Sequence, residues 1–174
     1  MREPSVCTVS HVGDNGAVTT PAEALAARWR RLLASVDRVR EAVDSSDPHQ
    51  CPDAVAATLN DLYDLWEFWS EKAGLTAAGE DAAVQGDTPG EVTAALTHAR
   101  GAKSHALIEF GHFTDTYADT YFSHYGCWRW QSFSDPNPRF AKRNAWYAAH
   151  VAHSEVLPVF DAALTWLHQQ PELR

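Results

Sequence analysis

Two pairs of arginine and histidine are the residues of this sequence whose types and spacing are best suited to chemistry. Arg100 precedes His105 by five residues, and Arg143 precedes His150 by seven. An imidazole titrates near neutral pH and can carry a proton, whereas a guanidinium group binds phosphate through two parallel hydrogen bonds. Both pairs are therefore candidates for acid–base chemistry beside a bound phosphate. On a helix, five residues turn the chain by about 140° and seven return it to nearly the same face, so Arg143 and His150 are the better aligned pair.

An arginine four to six residues before a histidine in a four-helix bundle resembles the HEPN family, the higher eukaryotes and prokaryotes nucleotide-binding domains. Arg100 and His105 have the commoner spacing, whereas Arg143 is followed by the polar residue Asn144 that family members often carry. The resemblance implies an RNA-directed module and, in its enzymatic form, a metal-independent ribonuclease of a bacterial toxin or antiviral system. It implies a composite site at a homodimer interface, without a cofactor. There histidine would handle the 2′-hydroxyl proton, and arginine would stabilise the charge on the phosphorus oxygens.

A run of aromatic and basic residues supplies candidate RNA contacts. The contacts are assigned to Trp128, Arg129, Trp130 and Lys142. The whole run consists of Trp128, Arg129, Trp130, Phe133, Arg139, Phe140, Lys142, Arg143, Trp146 and Tyr147. Aromatic rings stack on bases and cations neutralise phosphates, so such a run is one place where this acidic chain can hold RNA. A loop that plugs the end of a helical bundle with two tryptophans has the same composition. Seven tryptophans in a small domain must mostly be buried, which favours the plug.

A metal site is an alternative use of the histidines. His98, His105 and His112 are seven residues apart, so they would stack on one side of a continuous helix. Glu109 stands three residues before His112, the spacing that ferritin-like carboxylate sites use. A di-iron bundle needs two such pairs, and the sequence has one. A polar column at an interface is therefore the simpler interpretation.

Composition limits the function classes. The chain has 174 residues and a formal charge of −9, from 14 basic and 23 acidic side chains. This charge argues against a nucleic-acid coat or a membrane-surface protein, because both need an excess of basic residues. The sequence has no apolar run of spanning length and no signal-peptide pattern at its start, which predicts a cytoplasmic protein without a membrane partner. Cys7, Cys51 and Cys127 are widely spaced and are interpreted as free thiols.

Two amphipathic helices are predicted in the first half of the chain. Thr20 and Glu23 form a capping box at the start of a helix that runs to about Val43. A second helix follows over residues 55–74. Its outer face is acidic and the first helix is rich in arginine, so the two helices are predicted to be neighbours.

Two more helices are predicted in the second half. The third begins at Thr88 with the same capping signature and runs to about Phe122. The fourth runs from about Pro138 to Gln169 and bends at Pro158, which cannot donate a backbone hydrogen bond. Residues 75–87 are interpreted as a mobile connection and residues 123–137 as a loop.

These patterns predict an all-α protein, folded as an antiparallel up-and-down four-helix bundle. Residues 1–17 are expected to be disordered and residues 18–174 to form a single domain. Two functions from different classes remain open. One is the HEPN-like RNA-directed module with the catalytic candidates Arg100, His105, Arg143 and His150. The other is a non-catalytic interaction module, whose histidine column and acidic second helix bind a protein partner such as an antitoxin.

Overall fold

The computed structural model describes residues 20–45, 47, 49–101, 106–113 and 125–174, and of residues 111–113 and 125–126 it describes the backbone alone. The expectation of disorder for residues 1–17 and every role predicted for His105 fall outside these ranges. Within the described residues the chain is mostly helical, which confirms that part of the prediction. The helices are α1 (Pro21–Val43), α2 (Gln50–Lys72), α3 (Ala77–Val84), α4 (Thr88–Ala99), α5 (Ala141–Trp146) and α6 (Val156–Gln169).

The predicted four-helix arrangement is not confirmed. The described residues form six α-helices together with an antiparallel pair of strands, β1 (Ile108–Phe113) and β2 (Tyr125–Trp130). One cluster of buried apolar side chains includes residues from every helix except α5, which adds Trp146 at its edge. No helix in the described part of the chain has the length and apolarity that crossing a bilayer requires.

The first helix forms with its predicted bounds, whereas the second begins at Gln50, five residues before its predicted start. The Thr20 hydroxyl accepts a hydrogen bond from the Glu23 amide at 3.2 Å, and the Glu23 carboxylate accepts one from the Thr20 amide at 2.8 Å. These bonds satisfy two amides that a helix start leaves without partners. The Arg28 guanidinium meets Asp64 at 3.2 Å, and Arg31 also pairs with Asp64. The predicted contact between the arginine-rich helix and the acidic helix is therefore confirmed.

The third predicted helix is too long, because α4 ends at Ala99 and the chain continues as β1. Ile108 lies opposite Trp130, and Phe110 lies opposite Trp128, in the ladder between the two strands. This pairing places two large indoles against the core, with Trp130 fully buried. β-Branched and aromatic side chains pack well across a strand pair, so tertiary packing overrides the helical period here.

The fourth predicted helix is interrupted. A 3₁₀ turn over Pro138–Phe140 leads into α5, and a π-helical turn over Tyr147–Val151 follows it. The chain then leaves the helix to bond to β2: the His153 amide donates to the Trp130 carbonyl at 2.8 Å, and the Trp130 amide donates to the Ser154 carbonyl at 3.0 Å. His153 lies at this break and adopts a φ of +66°, a backbone conformation that is uncommon for residues other than glycine.

The predicted bend at Pro158 does not occur at that residue. Pro158 is the third residue of α6, which begins at Val156. Backbone amides in the first turn of a helix have no partner within that helix, so a proline is accommodated there without a kink. The interpretation of residues 75–87 as a mobile connection also changes. These residues contain α3, whose start is capped by the Thr76 hydroxyl accepting from the Gly79 amide at 3.2 Å.

The start of α4 differs from the predicted capping box. Its N-cap is Asp87 rather than Thr88, and the Asp87 carboxylate accepts a hydrogen bond from the Trp166 indole at 2.8 Å. Glu91 reaches back to the Gly86 amide at 2.8 Å. The polar groups at this helix start therefore form hydrogen bonds that join α4 to α6 and to the preceding turn.

Gly90 is predicted to be essential to the contact between α4 and α6. A Cβ atom at this position would lie 2.8 Å from the Trp166 indole nitrogen and 3.0 Å from the Val84 Cβ. Gly90→Ala should therefore lower the free energy of unfolding by about 2 kcal/mol through overpacking. Urea denaturation followed by circular dichroism measures the difference. Gly101→Ala is the control, because no atom of the described residues lies within 4 Å of its added Cβ. Equal midpoints for the two variants would contradict the prediction.

Candidate functional site

A large groove lies beside α2 in the described part of the structure. It has a volume of about 1220 Å³, and we call it the α2 groove. Its walls are α2, α3, the end of α4 and residues 135–143. Arg100 and Arg143, which belong to the two different arginine–histidine pairs, both line it. The fold therefore brings together two residues that lie 43 positions apart in the sequence.

Arg100 lies at the end of α4 and stacks on an aromatic ring of α2. Its guanidinium carbon is 3.5 Å from the centre of the Tyr63 ring. The side chain makes no hydrogen bond to another described residue, so its N–H groups are available to a ligand. The neighbouring Glu67 carboxylate is the largest cause that raises the pKa of Tyr63. Tyr63 is therefore a neutral platform beneath a cation.

Arg143 in α5 forms the floor of the groove and is 8% exposed. Its Nε donates to Asp81 Oδ1 at 2.8 Å, and its Nη2 donates to Glu80 Oε2 at 2.7 Å. Ser70 of α2 donates to the other oxygen of Glu80 at 2.6 Å. Nη1 has no partner among the described residues, yet it is not one of their fully buried unpaired atoms. We infer that Nη1 reaches solvent in the groove.

The two guanidinium groups lie above adjacent rings of one helix face. Arg143 lies over Trp66, with 5.7 Å between its guanidinium carbon and the ring centre. Tyr63 and Trp66 are three residues apart on α2, a spacing that makes side chains neighbours on a helix surface. Arg100 and Arg143 therefore both lie over this face of α2, where each offers N–H donors to an anion.

His98 is the imidazole of the groove. It lies near the end of α4, with its ring centre 4.3 Å from that of Phe140 and 5.4 Å from that of Phe133. Its Nε2 is 3.3 Å from Asn144 Oδ1. Burial is the largest cause that lowers the pKa of His98, so the ring is neutral at pH 7.

The Asn144 amide determines which nitrogen of His98 carries the proton. The Asp135 amide donates to Asn144 Oδ1 at 2.9 Å, and Asn144 Nδ2 donates to the Asp135 carbonyl at 2.7 Å. These two bonds fix Oδ1 as the acceptor, so His98 Nε2 must be the donor. Nδ1 then holds the lone pair. It has no partner among the described residues and is not a fully buried atom.

His150 does not join Arg143. Its Nε2 lies 3.0 Å from Glu91 Oε2, whereas Arg143 bonds to carboxylates of α3. His150 is also not among the residues that line the α2 groove. His150 lies within the π-helical turn over Tyr147–Val151, which changes the angle that seven residues subtend in an α-helix. The alignment predicted for this pair is therefore wrong, and the structure of His105 lies outside the described residues.

The candidate RNA contacts separate into buried rings and exposed cations. Trp130 is fully buried against Phe160 and Tyr147, and Trp128 is 7% exposed. Neither indole has a free face for a base, so the interpretation of these rings as a plug fits the structure. Arg129 donates to the His153 carbonyl at 3.1 Å. Lys142 is exposed at the rim of the α2 groove, with its Nζ 3.2 Å from Gln85 Oε1.

The predicted histidine column for a metal does not form on one helix. His98 lies in α4, whereas Glu109 and His112 lie in β1, because the helix ends at Ala99. The seven-residue spacing places side chains on one face only while a helix continues. The part of the chain that the structure describes contains no group of three histidine, cysteine, aspartate or glutamate side chains suited to a metal ion.

Sequence reasoning missed three of the groups that build the groove, Tyr63, Glu80 and Asp81. It noted Asn144 as the polar residue after Arg143 but gave it no role in orienting His98. The stretch around α3 has no apolar period, although its alanines favour a helix and Thr76 is a good N-cap residue. That local signal is sufficient to find α3, but it does not indicate that α3 pairs with Arg143.

Comparison with known proteins gives no assignment. The chain matches no protein-family model, no curated protein and no solved structure. A function for the chain therefore rests on the residues of the α2 groove.

Arg143 is predicted to be the most important charged residue for stability at this site. Arg143→Gln leaves Glu80 and Asp81 close together without their cation, and both carboxylates are largely buried, at 16% and 17% exposure. The free energy of unfolding should fall by about 3 kcal/mol. Arg139→Gln is the control, since Arg139 is exposed and should contribute less than about 0.5 kcal/mol. Urea midpoints that are the same for both variants would exclude this role.

Proposed function

We propose that this protein is a cytoplasmic, homodimeric, HEPN-like RNA-directed module, and that RNA binds in the α2 groove. The observation that carries the proposal is the pair of guanidinium groups, Arg100 and Arg143, held over adjacent rings of α2. Each arginine belongs to one of the two arginine–histidine pairs on which the resemblance depends. Two such groups in one groove suit the non-bridging oxygens of a phosphate.

Further cations and rings at the mouth of the groove support a nucleic-acid ligand. The Arg139 guanidinium carbon is 4.5 Å from the centre of the Phe140 ring, and Lys142 lies at the rim. Alternating cations and rings are the usual means by which proteins hold single-stranded nucleic acid without reading its sequence. In this proposal Lys142 keeps its predicted RNA contact, while Arg139 and Tyr63 take the place of Arg129 and the buried tryptophans.

The carboxylates of the groove limit the path of the RNA. Glu80 and Asp81 are paired with Arg143, but Glu67 and Glu71 lie along α2 without a basic partner among the described residues. These two groups repel phosphate. The RNA would therefore keep to the end of α4 and to residues 138–143, which carry Arg100, Arg139 and Lys142, and few phosphates would be neutralised.

Salt dependence of RNA binding tests this proposal. A fluorescent single-stranded RNA should bind with a slope of log K against log salt near −2, because Arg100, Arg139 and Lys142 would neutralise about three phosphates at about 0.7 each. Arg100→Gln should weaken binding and reduce the slope by about 0.7. Arg30→Gln is the control, since Arg30 is an exposed arginine of α1 outside the groove. Absence of binding at low salt, or equal losses in both variants, would refute the proposal.

A second candidate is the non-catalytic protein-interaction module. The observation that favours it is the mixed charge of the groove, where Glu67 and Glu71 share a cavity with Arg100 and Lys142. Such a surface is complementary to a protein segment that carries both signs of charge. The pairing of Arg143 and His150 with carboxylates also fits a structural role for these two residues.

Site-specific photocrosslinking distinguishes the two candidates. A photoreactive amino acid at Ala78, an exposed residue lining the groove, should cross-link a partner protein in the producing cell if the interaction module is correct. The matched control is the same substitution at Ala26, an exposed alanine of α1. Arg100→Glu should abolish the cross-link at Ala78, because it reverses one of the charges that the partner recognises. Recovery of RNA alone at Ala78 would favour the RNA-directed module.

A further inference from the structure

We propose that His98, an imidazole outside both arginine–histidine pairs, is the general base of the α2 groove. This inference rests on the proposed RNA-directed function and extends it to cleavage. His98 is the histidine that lines the groove among the described residues. It therefore occupies the place expected of His105 or His150.

The geometry prepares Nδ1 of His98 to accept a proton. Nε2 donates its hydrogen to Asn144, whose amide is held by two bonds to the Asp135 backbone. A base whose other nitrogen is fixed by a third group has a defined tautomer and a defined orientation, as catalytic imidazoles generally require. Asn144 is thus a positioning residue, and Nδ1 carries the lone pair of an imidazole that lines the groove and is not a fully buried atom.

Three charged side chains from different parts of the fold influence the pKa of this imidazole. Asp135, in the loop before α5, and Asp81 of α3 favour its protonation, whereas Arg143 of α5 opposes it. Burial has the largest effect and lowers the pKa of His98 below its ordinary value of 6.5. His98 is therefore neutral at pH 7, which is the form that a general base needs at the start of a reaction.

The proposed reaction is an intramolecular transesterification of RNA. His98 Nδ1 takes the proton of a 2′-hydroxyl group, and the 2′-oxygen forms a bond to the adjacent phosphorus. The bond between phosphorus and the 5′-oxygen breaks, and that oxygen takes a proton from water. The resulting hydroxide takes the proton from His98, so the base is restored, and the products are a 2′,3′-cyclic phosphate and a 5′-hydroxyl. Arg100 and Nη1 of Arg143 stabilise the charge on the non-bridging oxygens.

Cleavage of a fluorescent single-stranded RNA by the full-length protein tests the inference. His98→Ala should lower kcat/KM by at least about a hundredfold, the usual contribution of a general base, while RNA binding remains. Added imidazole should restore part of the rate, which a purely structural role for His98 would not allow. In the wild type, kcat/KM should fall on acidification only below pH 6.5, because the lowered pKa keeps the base neutral to a more acidic pH.

His168→Ala is the matched control. His168 also stacks on an aromatic ring, that of Trp29 at 4.2 Å, but it lies outside the groove. Its variant should cleave RNA at the wild-type rate, and circular dichroism should show both variants folded. Cleavage by His98→Ala at the wild-type rate would overturn the role of His98 and leave the RNA-directed function standing. RNA binding without any cleavage by the wild type would likewise overturn the role of His98 and leave the RNA-directed function standing. Absence of RNA binding would overturn both the role of His98 and the RNA-directed function.

Discussion

The ion pairs of Arg143 with Glu80 and Asp81 are the interaction on which the α2 groove depends. They join α5 to α3, and the bond from Ser70 to Glu80 extends the connection to α2. The consecutive helices α2 and α3 are thereby held around one cavity with α5, which lies about 60 residues further along the chain. Removing ions from water costs several kcal/mol for each group, so this cluster is stable only because every carboxylate has a donor. The cluster therefore specifies the arrangement of α3, whereas its net contribution to the free energy of folding is small because pairing mainly offsets the cost of burying the ions.

The short helix α5 positions most of the chemistry of the groove. Arg143 uses two of its nitrogens to hold α3 and leaves the third for a ligand, while the next residue, Asn144, orients His98. Because the π-helical turn and the break at His153 follow at once, α5 is free to take an angle that a continuous helix would not allow. The interruption of the predicted fourth helix is therefore what places its polar residues in the groove.

Local signals in the sequence predicted those parts of the fold that local interactions determine. The capping box of Thr20 and the charge match between α1 and α2 depend on neighbouring or complementary residues, and both occur. The hairpin and the break after α5 depend on the burial of Trp128 and Trp130, which lie far from the residues they contact. A seven-residue period assumes that one helix continues, so it fails wherever distant packing ends that helix.

The candidate site likewise has residues that local sequence signals predict and pairings that only distant packing determines. Arg100 and Arg143 were identified from the sequence because a guanidinium group suits an anion wherever the fold places it. The histidine partners were chosen by spacing along a single helix, and spacing carries no information about residues on other elements. His98 reaches Asn144 across 46 positions, and Arg100 reaches Tyr63 across 37. A site assembled from four elements can be predicted in its residue types, but its pairings follow only from the tertiary contacts that bury Arg143 and end α4.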